Sequence, residues 1–136
     1  MNENVMELQQ EVARRAVADA GEREWDRITL SYVDIDVVST LDLQVHLGEK
    51  AERLTRFTCD DPYHELRAAM ATPEHGTWYS STCEITEDGR FRFHFEQEER
   101  PVLGGGVPVT DESLIADQHR FPRPADELPA WHPAAR

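Results

Sequence analysis

Cysteine is scarce. Cys59 and Cys83 are the only two in 136 residues, at no spacing that builds a disulfide framework, so nothing in the sequence calls for an oxidising compartment and both read as reduced thiols in or near the core. Long apolar runs are missing too. No stretch of eighteen apolar residues occurs, and the segment from Met1 to Arg15 has neither the basic start nor the apolar segment of a signal peptide. The sequence therefore predicts no membrane span and a cytoplasmic location. Positive charge is in short supply: 14 Lys and Arg stand against 27 Asp and Glu, for a net charge of −13. A field of that sign repels nucleic acid and anionic lipid, so direct binding to either is not expected, whereas a basic protein partner is attracted and steered. Solubility alone is the competing explanation for the acidity.

Catalytic motifs are absent as well. Gly104-Gly105-Gly106 has no Lys and Ser or Thr at the spacing of a phosphate-binding loop and does not open a helix after a strand, so it reads as a flexible connection. The thiols and imidazoles of Cys59, Cys83, His46, His64 and His94 form no recognised paired-ligand spacing, so no metal is assigned. His94-x-Glu96 has the spacing of the deaminase His-x-Glu step but lacks its Pro-Cys-x-x-Cys, and strand alternation turns both residues outward beside Arg92. Ser80, Ser81 and Ser113 lie in no Gly-x-Ser-x-Gly elbow. The sequence thus names no catalytic residue and no cofactor, and the chain is not expected to be an enzyme.

What is present is an α+β pattern of a size suited to one domain, residues 1–136. Val5, Leu8, Val12, Ala16 and Ala20 recur at three- and four-residue steps, predicting a long first helix from Glu3 to Ala20 with Asn2 as its cap and Gly21 as its stop. Ile28, Leu30 and Tyr32 share one strand phase, while Val33, Ile35 and Val37 share the other, which predicts a bulge near Tyr32 and Val33. Leu41, Leu43, Val45 and Leu47 alternate with Asp42, Gln44 and His46, and Gly48-Glu49-Lys50 turns the chain into a third strand around Leu54 and Phe57. Asp61-Pro62 supplies a carboxylate cap and a first-turn proline for a second helix with Tyr63, Leu66 and Met70 inward. Two strands, Trp78 to Thr86 and Arg90 to Glu96, meet at Asp88-Gly89, with Phe91, Phe93 and Phe95 on the core side. An antiparallel sheet of about five strands results, with both helices packed on one face. A short helix from Asp111 to about His119 and a proline-rich strap, together residues 110–136, close the chain.

That strap is the most specific part of the sequence. Asp117, Phe121-Pro122-Arg123 and Pro129-Ala130-Trp131 combine fixed φ angles with large rings that need burial, so the segment should dock in order, with Arg123 held by Asp117 or by a backbone carbonyl. Together with Gly76-Thr77-Trp78 and Asp88-Gly89-Arg90-Phe91, these steps resemble the YezG-like family of bacterial immunity proteins over residues 76–132. The resemblance implies a protein that binds and silences a cognate toxin made by the same cell, with no catalysis of its own. Trp78, Asp117, Phe121, Pro122, Arg123, Pro129 and Trp131 are read as determinants of the fold.

Acidity is uneven: six acids and two Arg lie between Glu84 and Glu99, and three acids with no Lys or Arg between Val107 and His119. Glu84, Glu96, Glu98, Glu99, Asp111 and Glu112 are therefore the expected partner-binding residues, as an outward sheet face continued by the edge of the glycine loop. A nuclease toxin suits such a face, because a groove that holds phosphates must be basic. Two alternatives stand beside this reading. One is a protein-binding domain with a partner other than a toxin, and the other is a small enzyme built on an outward histidine such as His94 with a carboxylate neighbour.

Overall fold

A computed structural model describes residues 3–135 and shows an α+β architecture. Helix α1, Glu3–Ala20, is followed by a meander of β1, Arg27–Asp34, β2, Ser39–Leu47, and β3, Lys50–Leu54. Helix α2, Asp60–Ala69, leads back to a hairpin of β4, Ser80–Thr86, and β5, Phe91–Glu96. A two-stranded excursion, β6, Val102–Leu103, and β7, Val107–Pro108, precedes α3, Asp111–Arg120. The main sheet is antiparallel in the order β3-β2-β1-β4-β5, so β1 is central and β3 and β5 are the edges.

One face of the sheet carries the core. Val5, Val12, Ala13, Ala16 and Ala20 of α1 and Tyr63 and Leu66 of α2 pack against Ile28, Leu30, Tyr32, Leu43, Val45, Cys83 and Ile85. Trp78, Tyr63 and Tyr32 form an aromatic knot there, with Tyr32 and Tyr63 stacked at 4.4 Å. Cys59 and Cys83 are free and buried, and burial pushes the Cys83 thiol up to about 12, so it stays protonated. A second cluster of Ile35, Tyr79, Val109 and Leu114, joined by Val38, Leu103 and Trp131, fixes α3 and the strap to the end of β1 and β4. Among the described residues no helix is long and apolar enough to cross a membrane.

Several local expectations give way to other solutions, and Asn2, the expected cap of α1, lies outside the described residues. There is no bulge in β1, which pairs without interruption from Arg27 to Asp34 with β2 and from Arg27 to Val33 with β4. The apparent change of phase arises because Asp34, a carboxylate, occupies the inward position after Tyr32, and the chain then turns at Asp36 and Val37. Strand β3 ends at Leu54, and Phe57 packs half-buried beyond it. The start of α2 is capped from another element: the Asp19 carboxylate of α1 accepts the backbone N–H groups of Thr58 (2.8 Å) and Cys59 (3.2 Å), while Asp61 and Pro62 lie within the first turn. The triple glycine is a tight turn closing the β6–β7 hairpin, tied down where the Gly104 N–H donates to Thr40 Oγ1 at 2.8 Å. Gly105 and Gly106 sit at φ 78° and 77°, a region that glycine enters without steric cost.

Candidate functional site

The outward sheet face is of mixed sign. Register places Arg27 beside His46 and Thr86, Gln44 beside Thr29 and Arg53, and Glu84 beside Arg92. Arg27 approaches Glu84 at 3.7 Å, Arg53 donates to Asp42 at 2.8 Å, and Thr29 shares a 2.8 Å hydrogen bond with His46. Of the six expected partner-binding residues, only Glu84 and Glu96 lie on this face. Glu96 accepts the N–H groups of Glu98 and Glu99, which hold its carboxyl below the ordinary carboxylate value. Glu98 is bound by Arg123 at 3.1 Å and Asp111 by Arg100 at 3.3 Å. Arg100 also donates to the Trp131 carbonyl, and the Trp131 indole donates to the Glu98 carbonyl, so Glu98, Glu99, Asp111 and Glu112 collect at the strap end, away from Glu84. His94 stands exposed on β5 and His119 exposed on α3, and neither lines a cavity described for the chain.

The strap docks around a residue that the sequence reading passed over. Arg67 of α2 is 1% exposed, and its guanidinium forks onto Asp117 of α3 with bonds of 2.6 and 2.8 Å. Its Nε donates to the Trp78 carbonyl at 2.6 Å, and the rings of Phe121 and Tyr79 lie 5.2 and 5.8 Å from it. Thr77 Oγ1 donates to the Arg67 carbonyl at 2.9 Å. Arg123 takes the second of its two expected roles: it bonds the carbonyls of Gln97 and Glu127, leaving Asp117 to Arg67. Its aliphatic stem passes over Gly76, where a Cβ would come within 2.3 Å of the Arg123 side chain and where φ is +65°. Gly76, Thr77, Trp78, Asp117, Phe121 and Arg123 are thus tied together around two buried guanidiniums. Trp131 is half-buried, while His132 beside it is fully enclosed.

From Arg67 the polar seam continues toward a cleft. Arg67 Nη1 lies 3.8 Å from Asp34, which is fully buried at the end of β1. The Asp34 carboxylate also accepts the Tyr32 hydroxyl at 2.7 Å, the Asp36 N–H at 2.7 Å and His64 Nδ1 at 2.6 Å. Burial, then the neighbouring Asp34 charge, push the Tyr32 phenol far up, so it remains a donor. Because a carboxylate only accepts, His64 must carry its proton on Nδ1, and its Nε2 is left as an acceptor when the ring is neutral. The His64 side chain is 48% exposed and lines a cleft of about 510 Å³.

Four carboxylates line the same cleft: Asp36 at the β1–β2 tip and Asp60, Asp61 and Glu65 on the first turns of α2. Val37, 64% exposed, stands at its rim. The cation on the wall, Arg15, is already held by Glu11 at 2.9 Å and by the Thr58 carbonyl. Asp60 and Asp61 suit the positive end of the α2 dipole, while burial pushes the Asp60 carboxyl up. Asp36 holds φ 69° without being glycine, a conformation supported by its N–H bond to Asp34. Among the described residues no three His, Cys, Asp or Glu side chains gather in a metal-binding arrangement. The cleft therefore offers concave negative charge, one oriented imidazole and an apolar rim. Compared with models of known protein families and with curated proteins, the sequence matches none.

Proposed function

We propose that the chain is an immunity-type binding protein that neutralises a basic protein toxin by receiving a lysine or arginine side chain in the acidic cleft between the β1–β2 tip and α2. One observation carries this reading: four carboxylates line a concave site against a single arginine, Arg15, whose hydrogen bonds go to Glu11 and the Thr58 carbonyl and which lies in the field of Asp61 and Glu65. A cationic side chain entering there exchanges water for charge-assisted bonds, with exposed Val37 available for apolar contact at the rim. The net charge of −13 supports fast, steered association with such a partner. The resemblance of residues 76–132 to YezG-like immunity proteins supports the toxin as that partner, and a nuclease is the toxin class whose own groove is basic. Glu98, Glu99, Asp111 and Glu112 at the strap end form the flanking part of the proposed interface, since half of them are already engaged by Arg123 and Arg100.

Co-purification with the product of the adjacent gene is the direct test. Asp60→Asn, Asp61→Asn and Glu65→Gln together are expected to release the partner at low salt, and retention at unchanged affinity would remove the cleft from the interface.

A second reading is favoured by one specific feature. A half-exposed imidazole oriented by a buried carboxylate at 2.6 Å is an arrangement suited to proton transfer. Turnover of a small molecule that disappears in His64→Asn, with the fold intact, would move the assignment to that reading.

A further inference from the structure

The two edges of the sheet are built in opposite ways. On β3 the residues that share the core-side phase are Lys50, Glu52 and Leu54, opposite Leu47, Val45 and Leu43. Two inward charges on so short a strand are a device that blocks further strand pairing. On β5 the three core-side residues are Phe91, Phe93 and Phe95, so that side carries no charge, proline or glycine. The three rings form a ladder at 5.8 and 5.7 Å, yet Phe91 is exposed and Phe93 and Phe95 are only half-buried, since the sheet ends there.

The backbone of β5 has the polarity of an open template. Thr86 N–H donates to the Arg90 carbonyl and Tyr79 N–H to the Glu96 carbonyl, so the even-numbered residues direct their polar groups at β4. By alternation, the N–H and C=O groups of Phe91, Phe93 and Phe95 point away from the sheet. At Gln97 the template stops, because its carbonyl accepts from Arg123.

We propose that β5 pairs antiparallel with β5 of a second copy, making one continuous ten-stranded sheet across a twofold axis at His94. In this register the two charged residues of the strand, Arg92 and Glu96, face each other across the axis. Phe93 pairs with the partner's Phe95, completing the ring ladder, while on the outer face Arg92 meets the partner's Glu96 and Glu96 meets the partner's Arg92. Centring the axis one residue earlier, at Phe93, puts Arg92 against the partner's His94 and moves Glu96 opposite the partner's Arg90, beyond the start of the strand. The His94-centred pairing places both Arg92–Glu96 contacts inside the paired strands, and the symmetric contact closes as a dimer with no free β5 edge. The acidic cleft lies on other elements, so the dimer does not depend on the proposed binding of a toxin.

Light scattering and sedimentation on the purified chain are expected to give twice the 15.6 kDa chain mass at high micromolar concentration. Arg92→Glu is expected to shift the population to monomer and Arg92→Glu with Glu96→Arg to restore the dimer. His94→Cys, which leaves the Glu96 bonds to Glu98 and Glu99 untouched, is expected to link the two copies under mild oxidation, because facing residues at a non-hydrogen-bonded site lie within disulfide reach. Thr82→Cys on the neighbouring strand is expected not to link. A folded wild-type chain that stays monomeric overturns the proposal, as does a dimer that Arg92→Glu leaves intact and His94→Cys fails to link. A monomer whose toxin affinity falls in Arg92→Glu also overturns it, by assigning the edge to the toxin.

Discussion

The polar seam that runs through the molecule has two halves that use the same residue types to different ends. In the inner half, Arg67 donates to Asp117 and to the Trp78 carbonyl and lies 3.8 Å from Asp34, with all three charged side chains out of water. In the outer half, Asp36, Asp60, Asp61 and Glu65 line an open cleft with one arginine, which is hydrogen-bonded to Glu11 and offsets only part of their charge. Asp34 and His64 join the two. A buried charge that is matched holds parts of a fold together, because removing either partner strands the other in a low dielectric. Unmatched charge in water contributes little to stability and remains available to a partner. The comparison predicts a separation: substitutions in the inner half should cost stability, and substitutions in the outer half should cost binding.

The largest stability effect is expected at Arg67. Arg67→Ala leaves Asp117 and Asp34 buried without their cation and unhooks α3 and the strap, at a cost of about 3–5 kcal/mol, measured by chemical denaturation. A loss of under about 1 kcal/mol would mean that the strap is held by its rings and not by the guanidinium. Gly76→Ala comes next, at about 2 kcal/mol or more, because it combines a left-handed backbone angle with a collision against the stem of Arg123. An unchanged melting temperature would show that Arg123 has room to move aside. Smaller still is a dependence on pH. Burial lowers the affinity of His132 for a proton in the folded state, so the unfolded chain binds the proton first as pH falls below the ordinary imidazole value, about 6.5. Stability should therefore decline from pH 7 toward pH 5. His132→Asn, which keeps an acceptor for the Ala134 N–H, should flatten that part of the melting profile. An identical slope in the variant would place the titration elsewhere.

The scaffold is legible in the sequence where local chemistry and tertiary packing agree. The apolar spacing of α1, the Asp88-Gly89 hairpin and the alternation in β2 and β4 all reappear, because each element buries the face that its pattern marks. Legibility fails where a residue serves a distant element. The cap of α2 is Asp19 of α1, which no pattern around Asp61-Pro62 reveals. The polar seam did leave a trace: Asp34 falls in the inward phase of Ile28, Leu30 and Tyr32, and Arg67 falls four residues after Tyr63 on the buried stripe of α2. A charge at an interior position signals a buried partner, and Asp34 at such a position implies one in place of a bulge. The acids from Glu84 to Glu99 do not form one continuous negative face. Strand register interleaves them with Arg27 and Arg92, and Arg123 reaches Glu98 from the strap.

Isothermal titration of the chain with the product of the adjacent gene, the proposed basic partner, at low and at high salt, tests the assignment of the two halves most directly. Wild type is expected to bind with a steep salt dependence. The variant with Asp60→Asn, Asp61→Asn and Glu65→Gln is expected to bind about 100-fold more weakly, a loss near 2.7 kcal/mol, with a shallower salt dependence and a melting temperature close to wild type. Affinity unchanged by those three substitutions but lost on neutralising Glu98, Glu99 and Glu112 would contradict the cleft as the binding site.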